Sequence, residues 1–463
     1  MSKNYNLLLD VDSYKASHYL QYPKSTRFLN AYVEPRDLNN HEVVFFGLQA
    51  FIKNYLLNPI THSDIVEAEN FFLPHIGTFN KLGWSEILEK HNGYLPIEIQ
   101  AIAEGSVVNK SIPLVQITNT DPHFPWLVTY LETALLRAIW YPSSVATISR
   151  EAKKIILRFL KKTSDNPNDE IGFKLHDFGA RGVSSYESSR IGGAAHLLSF
   201  FGSDTVEGAL FLKDFYHADM PSLSIPASEH STIISWGESN EKNAHENIMK
   251  TFLTEEKTVA SVIDSYDLFE TAEKIISTDL KNIIESSKGT FVARPDSGIL
   301  PDTVIDLIQL LMKEENFGFY INSKGYKVLP ECIRVIQGDG VDLTSIELIL
   351  NKMEELKLSA SNIAFGMGGG LLQKVNRDTY SFAMKLSAIK QDGENWIPTY
   401  KNPKNDNSKA SKKGYFYVYK DEELYYSNTI NEDKENLLKT IYKNGKLVKE
   451  YHLDEIKKAI EVN

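Results

Sequence analysis

The chain has 463 residues, 42% hydrophobic and 24% charged, enough for one large α/β unit and a second domain of an ordinary soluble protein. Its net charge of −11 repels phosphate backbones and argues against a nucleic-acid partner. The one cysteine, Cys332, excludes an internal disulfide, and no stretch approaches the ~18 apolar residues that a membrane span needs.

A short leucine run near the start is broken by Asp10 and Asp12. It is too short for a signal segment, so a cytoplasmic location is expected. Val43–Ile52 is apolar. Leu95–Gly105 and Ile112–Thr120 partly alternate apolar with polar residues, as half-buried strands do. Trp126–Trp140 is apolar on several faces and predicts a buried helix ended by Pro142. Ser149–Thr163 has helical periodicity, with Ser149 as its N-cap.

From Phe173 onward a rhythm sets in. Short apolar runs end in polar, glycine-bearing loops, and most of these lead into helical patterns. The loops are HDFGARG (176–182), SEHST (228–232), DSYD (264–267), RPDSG (294–298), QGDG (337–340) and GMGGG (366–370). Such units predict a parallel sheet or α/β barrel, in which the loops after the strands carry the chemistry. After about Ile389 come a lysine-rich loop, an aromatic strand, an Asn-Gly hairpin signal and a closing helix. The expected domains are 1–145 together with 390–463, mixed α+β, and 146–389, built from the β/α units.

The loops share arginines, aspartates, glycines and a histidine, which is the composition of a site for a phosphorylated sugar. In GMGGG, Gly368 and Gly369 let backbone N–H groups approach phosphate oxygens, although a flexible turn explains the sequence equally well. Arg377 downstream adds a cation. Arg294 suits phosphate, and Asp296 suits ribose hydroxyls or Mg²⁺; a structural ion pair is the alternative. Gly338 and Asp339 repeat the theme in what is otherwise an ordinary turn. Asp264 and Asp267 are two carboxylates, one of which could be a helix cap. Phe178 could stack a planar ligand or fill the core. Asp204 stands at a helix-cap position. His230, directly after Glu229, could be catalytic, a metal ligand or a buried histidine with its hydrogen bonds satisfied. No HExxH spacing supports a metal hydrolase on His176, Asp177 and His230.

Together "DSYKASHYLQYP", "HDFGARGVSSYESS", "FGSDTVEG", "IPASEHSTIISWG", "RPDSG", "VIQGDGVD" and "NIAFGMGGGLLQKVNRD" resemble the nicotinamide phosphoribosyltransferase family over essentially the whole chain. The resemblance implies an α/β fold: the irregular TIM-like α/β barrel of a type II phosphoribosyltransferase, beside a mostly antiparallel α+β domain formed from N- and C-terminal segments. It implies transfer of phosphoribosyl from phosphoribosyl pyrophosphate (PRPP) to nicotinamide, with Mg²⁺ held through substrate phosphates, in a homodimer with shared sites. It also implies that ATP phosphorylates His230 and so stimulates the reaction.

The family's roles carry over by position. Phe178 would stack the pyridine ring, with Tyr14 of the other chain on its far face. Asp204 would accept the carboxamide N–H, and Arg181 would help hold the carboxamide and a phosphate. Arg294, Asp296, Gly338, Asp339, Gly369 and Arg377 would hold ribose phosphate. Arg36, Lys401 and Lys409 of the other chain would face pyrophosphate or ATP. Glu229 or Asp267 would orient His230. Ala180 and Ile263 depart from the animal members and bear on fine specificity. The rival readings are a nicotinate phosphoribosyltransferase and a non-catalytic nucleotide-binding protein on the same scaffold.

Overall fold

The computed structural model describes residues 5–38, 41–393, 395–405 and 410–462. It divides into two compact units: Met1–Thr147 with Asp214–His217 and Val375–Ile460, and Ile148–Lys213 with Ala218–Lys374 and Glu461–Asn463.

The first unit is built on a seven-stranded sheet. Phe28–Pro35 lies inside it, antiparallel to Phe382–Lys390 on one side and to Val115–Asn119 on the other. Ile97–Ala101 and Lys439–Lys443 continue the antiparallel order. Ile97, Ile99 and Ala101 are buried while Glu98 and Gln100 are half-exposed, the alternation expected for a sheet with one face on a core. The division after Lys374 precedes the boundary expected near Ile389. Phe382–Lys390 pairs with Phe28–Pro35 along its length, and that pairing carries residues 375–389 into this unit.

One element departs from the sequence reading. Pro142 does not end a helix, and Ser149 does not start one; a single helix runs Glu132–Thr163. Proline removes one backbone donor, which frees the carbonyl of Ala138. Gly47 packs its backbone at that point, so close that a Cβ there would lie 2.6 Å from the Ala138 oxygen. Ser149 is buried mid-helix and bonds His196 Nδ1 at 3.0 Å.

The second unit is the α/β layer. Its parallel sheet has the order Leu175–Asp177, Ile363–Met367, Ile333–Gln337, Thr290–Arg294, Thr258–Val262. Single parallel bridges, Asp177 to Ser203, Gly202 to Leu223 and Ala227 to Ala260, carry the pairing round from one edge to the other. The result is an irregular barrel in which SIPASEHST contributes only a bridge. Outward residues such as Val259, Phe291, Ala293, Val335 and Phe365 are buried, as strands covered on both faces require. The Asp302–Leu311 helix buries Val304, Ile305, Leu307, Ile308 and Leu311. The Leu343–Glu355 helix starts at a capping box formed by Asp342 and Ser345.

Candidate active site

Inside the barrel Ala260, Val292 and Ile336 form a layer against which Phe178, Ile225 and Ala364 pack. Phe178 follows the Leu175–Asp177 strand, and its amide donates to Met367 O at 3.0 Å. Its ring lies on Gly366 and against Gly338, where added Cβ atoms would come within 2.0 and 3.4 Å. The Arg294 guanidinium is 6.0 Å from the ring centroid. Phe178 is therefore partly core, packed on the barrel layer, and partly cavity lining.

A cavity of about 1220 Å³ runs through the barrel from this ring. Phe178, Asp204, Ser224 and Arg294 line it at the strands' carboxyl ends, and Lys174 and Arg334 line it at the other. Ser224 Oγ donates to Asp204 Oδ1 at 2.5 Å, which orients that carboxylate. The amide of Thr205, next to it, donates to Ser203 Oγ at 3.0 Å. His176 lies under the Phe178 ring. Burial lowers its pKa against the opposing pull of Asp204. Asp177 is fully buried, and its Oδ1 accepts from the Gly179 amide at 2.7 Å, fixing the turn behind Phe178. Arg181 projects from that turn, its side chain 88% exposed, with Nη1 3.9 Å from Glu229 Oε2.

His230 opens the short His230–Ile234 helix, capped by Glu229. Its Nε2 is 3.1 Å from Asp264 Oδ1, and its Nδ1 is 4.0 Å from Asp296 Oδ2. The orienting carboxylate is thus Asp264, in place of Glu229 or Asp267. The Thr258–Val262 strand leads directly to Asp264, whose side chain is 3% exposed, whereas Asp267 caps the next helix by accepting from the Glu270 amide at 2.9 Å. Asp264 Oδ2 also takes the Asp296 amide at 3.0 Å and the Ser297 hydroxyl at 2.5 Å, so one carboxylate ties His230 to the RPDSG loop. Arg294 Nη2 donates to Asp296 Oδ2 at 3.2 Å, while its buried Nε finds no acceptor among the described residues. A buried donor without a partner is costly, and a ligand oxygen would satisfy it.

The remaining predicted residues fall as follows. Gly338 faces Asp296, and Asp339 is exposed in the next turn. Gly368 caps the four-residue helix that begins at Gly369, and a Cβ on Gly369 would meet nothing. Arg377 belongs to the first unit, as do Tyr14, Arg36 and Lys401. Tyr14 is 58% exposed. Burial lowers the pKa of half-buried Lys385, Glu132 raises it, and Arg36, Arg377 and Lys401 lower it, so these four cations and one carboxylate share one neighbourhood. Lys401 is held there by paired bonds with Ser411, each 2.9 Å. The buried Nε of Arg36 also lacks an acceptor among the described residues. Lys409 lies outside the described residues. The sequence reading missed Lys385 and gave Asp264 no role. Lys385 reads as one more strand lysine, while Asp264 stood in the DSYD motif and its strand-end position was the available signal.

An arginine with an open donor, a carboxylate-bound histidine and a ring platform at the strand ends define an α/β-barrel enzyme for a phosphorylated substrate. Residues 173–446 match the nicotinate phosphoribosyltransferase (NAPRTase) family, and residues 6–99 match the nicotinamide phosphoribosyltransferase N-terminal domain. A nicotinamide phosphoribosyltransferase of Xanthomonas campestris pv. campestris is 44% identical over 460 residues, 98% of this chain and 97% of that one. Among solved structures, nicotinate-nucleotide pyrophosphorylase from Pyrococcus furiosus aligns with a TM-score of 0.63 at 17% identity, covering 99% of this chain and 96% of that one. Human nicotinic acid phosphoribosyltransferase gives 0.57 at 15%, covering 97% and 92%. These two share the fold. The chain belongs to the nicotinate phosphoribosyltransferase family and is a pentosyltransferase.

Proposed function

We propose that the enzyme transfers phosphoribosyl from PRPP to nicotinamide, releasing pyrophosphate and forming nicotinamide mononucleotide for NAD salvage. The observation that carries the acceptor is Asp204, oriented by Ser224 at the cavity wall near Phe178. A carboxylate accepts the carboxamide N–H but would meet nicotinate as a like charge, at a cost of order 1 kcal/mol or more. The pyridine nitrogen needs no base. The enzyme has only to orient the ring and neutralise the leaving pyrophosphate as the anomeric carbon gains positive charge.

Arg294, Asp296, Gly338, Asp339, Gly368 and Gly369 would hold ribose and its phosphate, with Arg181 at the mouth. The cluster of Arg36, Arg377, Lys385 and Lys401, with Lys409, would meet the pyrophosphate from the second chain of a homodimer, and Tyr14 would close over the pyridine ring. Among the described residues no group of three His, Cys, Asp or Glu could hold a metal ion. Mg²⁺ would be held by the donor's phosphate oxygens, with Asp296 and Asp339 as hard oxygen ligands within the same loops. With Asp264 accepting from Nε2–H, Nδ1 of His230 would attack the γ-phosphorus of ATP, forming an N–P bond as the bond to the departing ADP oxygen breaks; the 3.1 Å His230–Asp264 contact supports this reading. That step would stimulate the transfer.

Product analysis by mass spectrometry tests this, with PRPP and Mg²⁺, nicotinamide or nicotinate, with and without ATP. Nicotinamide mononucleotide, increased by ATP, is expected. Nicotinate mononucleotide in its place would overturn the role of Asp204, and no product from either would favour a non-catalytic protein.

A further inference from the structure

Behind the His230 loop lies a buried polar chain that the reaction as described does not use. Pro226–Ser228 runs alongside the Thr258–Val262 strand: Ala260 N donates to Pro226 O at 3.0 Å and Ser228 N to Ala260 O at 3.1 Å. Ser228 Oγ then accepts from Val262 N at 2.9 Å. Ser228 stands two residues before His230, and Val262 stands two residues before Asp264. This one bond therefore joins the two backbones at the same distance from both members of the 3.1 Å pair.

The hydroxyl is itself held. Ser228 Oγ is 3.0 Å from Ser261 Oγ, and Ser261 Oγ is 2.9 Å from His245 Nδ1. His245 and Ser261 are fully buried and Ser228 is 5% exposed. Run from Ser228 to Ser261 to His245 Nδ1, the chain gives each hydroxyl proton an acceptor; run the other way, it leaves the Ser228 proton without one among the described residues. In the first sense the His245 proton sits on Nε2, 3.8 Å from Glu241 Oε1 and without a hydrogen-bond partner among the described residues. Glu241 Oε2 is fixed by the Thr271 hydroxyl at 3.1 Å. The apolar side of the same joint is Ile233, Ala244 and Val262, one residue from each of the three segments. Packing alone would seat the helix; the hydroxyl chain adds a direction, because each hydrogen bond has one sense.

We propose that Ser228, with its hydroxyl oriented by Ser261 and His245, is the positioning residue that sets the His230–Asp264 pair. The chain touches no substrate and acts through the backbone. This inference rests on the reading of His230 as the reactive histidine only for its effect on rate, and its geometric claim stands apart from that reading.

The test uses the full-length enzyme labelled with ¹⁵N-histidine, its ring nitrogens observed by NMR and His230 assigned with His230→Ala. In the parent protein His230 should show the pattern of an Nε2–H tautomer. In Ser228→Ala that pattern should relax toward a mixture of tautomers. There kcat should fall about ten-fold or more, as for a misplaced catalytic group, with the acceptor KM unchanged. An unchanged His230 pattern in Ser228→Ala would overturn the proposal. Two His245 variants separate hydrogen bonding from packing. Asparagine keeps an acceptor near the Nδ1 position, and phenylalanine keeps the ring volume. The proposal expects His245→Asn to retain the His230 pattern and more of the rate than His245→Phe; the reverse order would show that only packing matters. If His230→Ala itself leaves product formation and ATP stimulation intact, the functional reading fails while the NMR comparison still judges the geometry.

Discussion

The ring of Phe178 lies on Gly366 so closely that a methyl group at position 366 would come within 2.0 Å of it. Glycine in the Ile363–Met367 strand is what lets the ring approach the barrel wall this closely. Gly366→Ala should push the ring into the acceptor's space. The acceptor KM should rise about ten-fold, the loss of one stacking contact of about 1.5 kcal/mol. In the Phe178→Ala background the same change should cost nothing more. Additive losses in that double-mutant cycle would refute the contact as the cause.

Asp264 and Asp267 are neighbours in one motif with different jobs. Asp264→Ala removes the acceptor for His230, for the Asp296 amide and for Ser297 at once. We expect kcat to fall about 100-fold. Asp267→Ala removes only a helix cap and should cost about 1 kcal/mol of stability with kcat nearly intact. Steady-state kinetics and denaturant melts on both variants check the contrast; equal kinetic losses would return Asp267 to the catalytic set.

Asp177 gives the fold a pH dependence of known sign. Burial first, then the charges of Asp204 and Glu207, push its carboxyl up from 3.8 to about 6, against the Gly179 hydrogen bond that lowers it. The folded state then holds this proton more tightly than the unfolded chain. Stability from this group is therefore greatest below about pH 4 and is lost as pH rises through about 6, by about 3 kcal/mol. Asp177→Asn should remove that slope between pH 4 and 6.5 in chemical denaturation. The same slope in both proteins would place the titration elsewhere.

Lys385 shares its surroundings with Glu132, which favours its charge, and with Arg36, Arg377 and Lys401, which oppose it. Lys385→Met keeps the length and removes the charge. The PRPP KM should rise about ten-fold or more, as for one lost charge-assisted hydrogen bond, while the nicotinamide KM stays constant. The PRPP KM should also become less sensitive to salt. A variant that binds PRPP like the parent would leave the cluster without a role in donor binding.

Much of the second unit was legible from the chain alone. Apolar runs such as Thr290–Arg294 and Ile363–Met367 have the length of buried strands, and each ends in a loop rich in glycine and charge. Local propensity and pattern act over a few residues, so they survive in the sequence. They identified His230, Arg294, Asp296 and Phe178 as candidates, and the half-buried strands at Ile97–Ala101 and Val115–Asn119. Tertiary structure decided the rest. Asp264 reaches His230 across 34 positions because two parallel segments share a register, which no local pattern encodes. The Glu132–Thr163 helix continues through Pro142 with the backbone of Gly47 packed against it, a residue 95 positions earlier. Lys385 joins Arg36 because Phe382–Lys390 pairs with Phe28–Pro35, strands from opposite ends of the chain. Sequence determined which side chains were available at the ends of the strands. Only the pairing of distant backbones determined which of them meet.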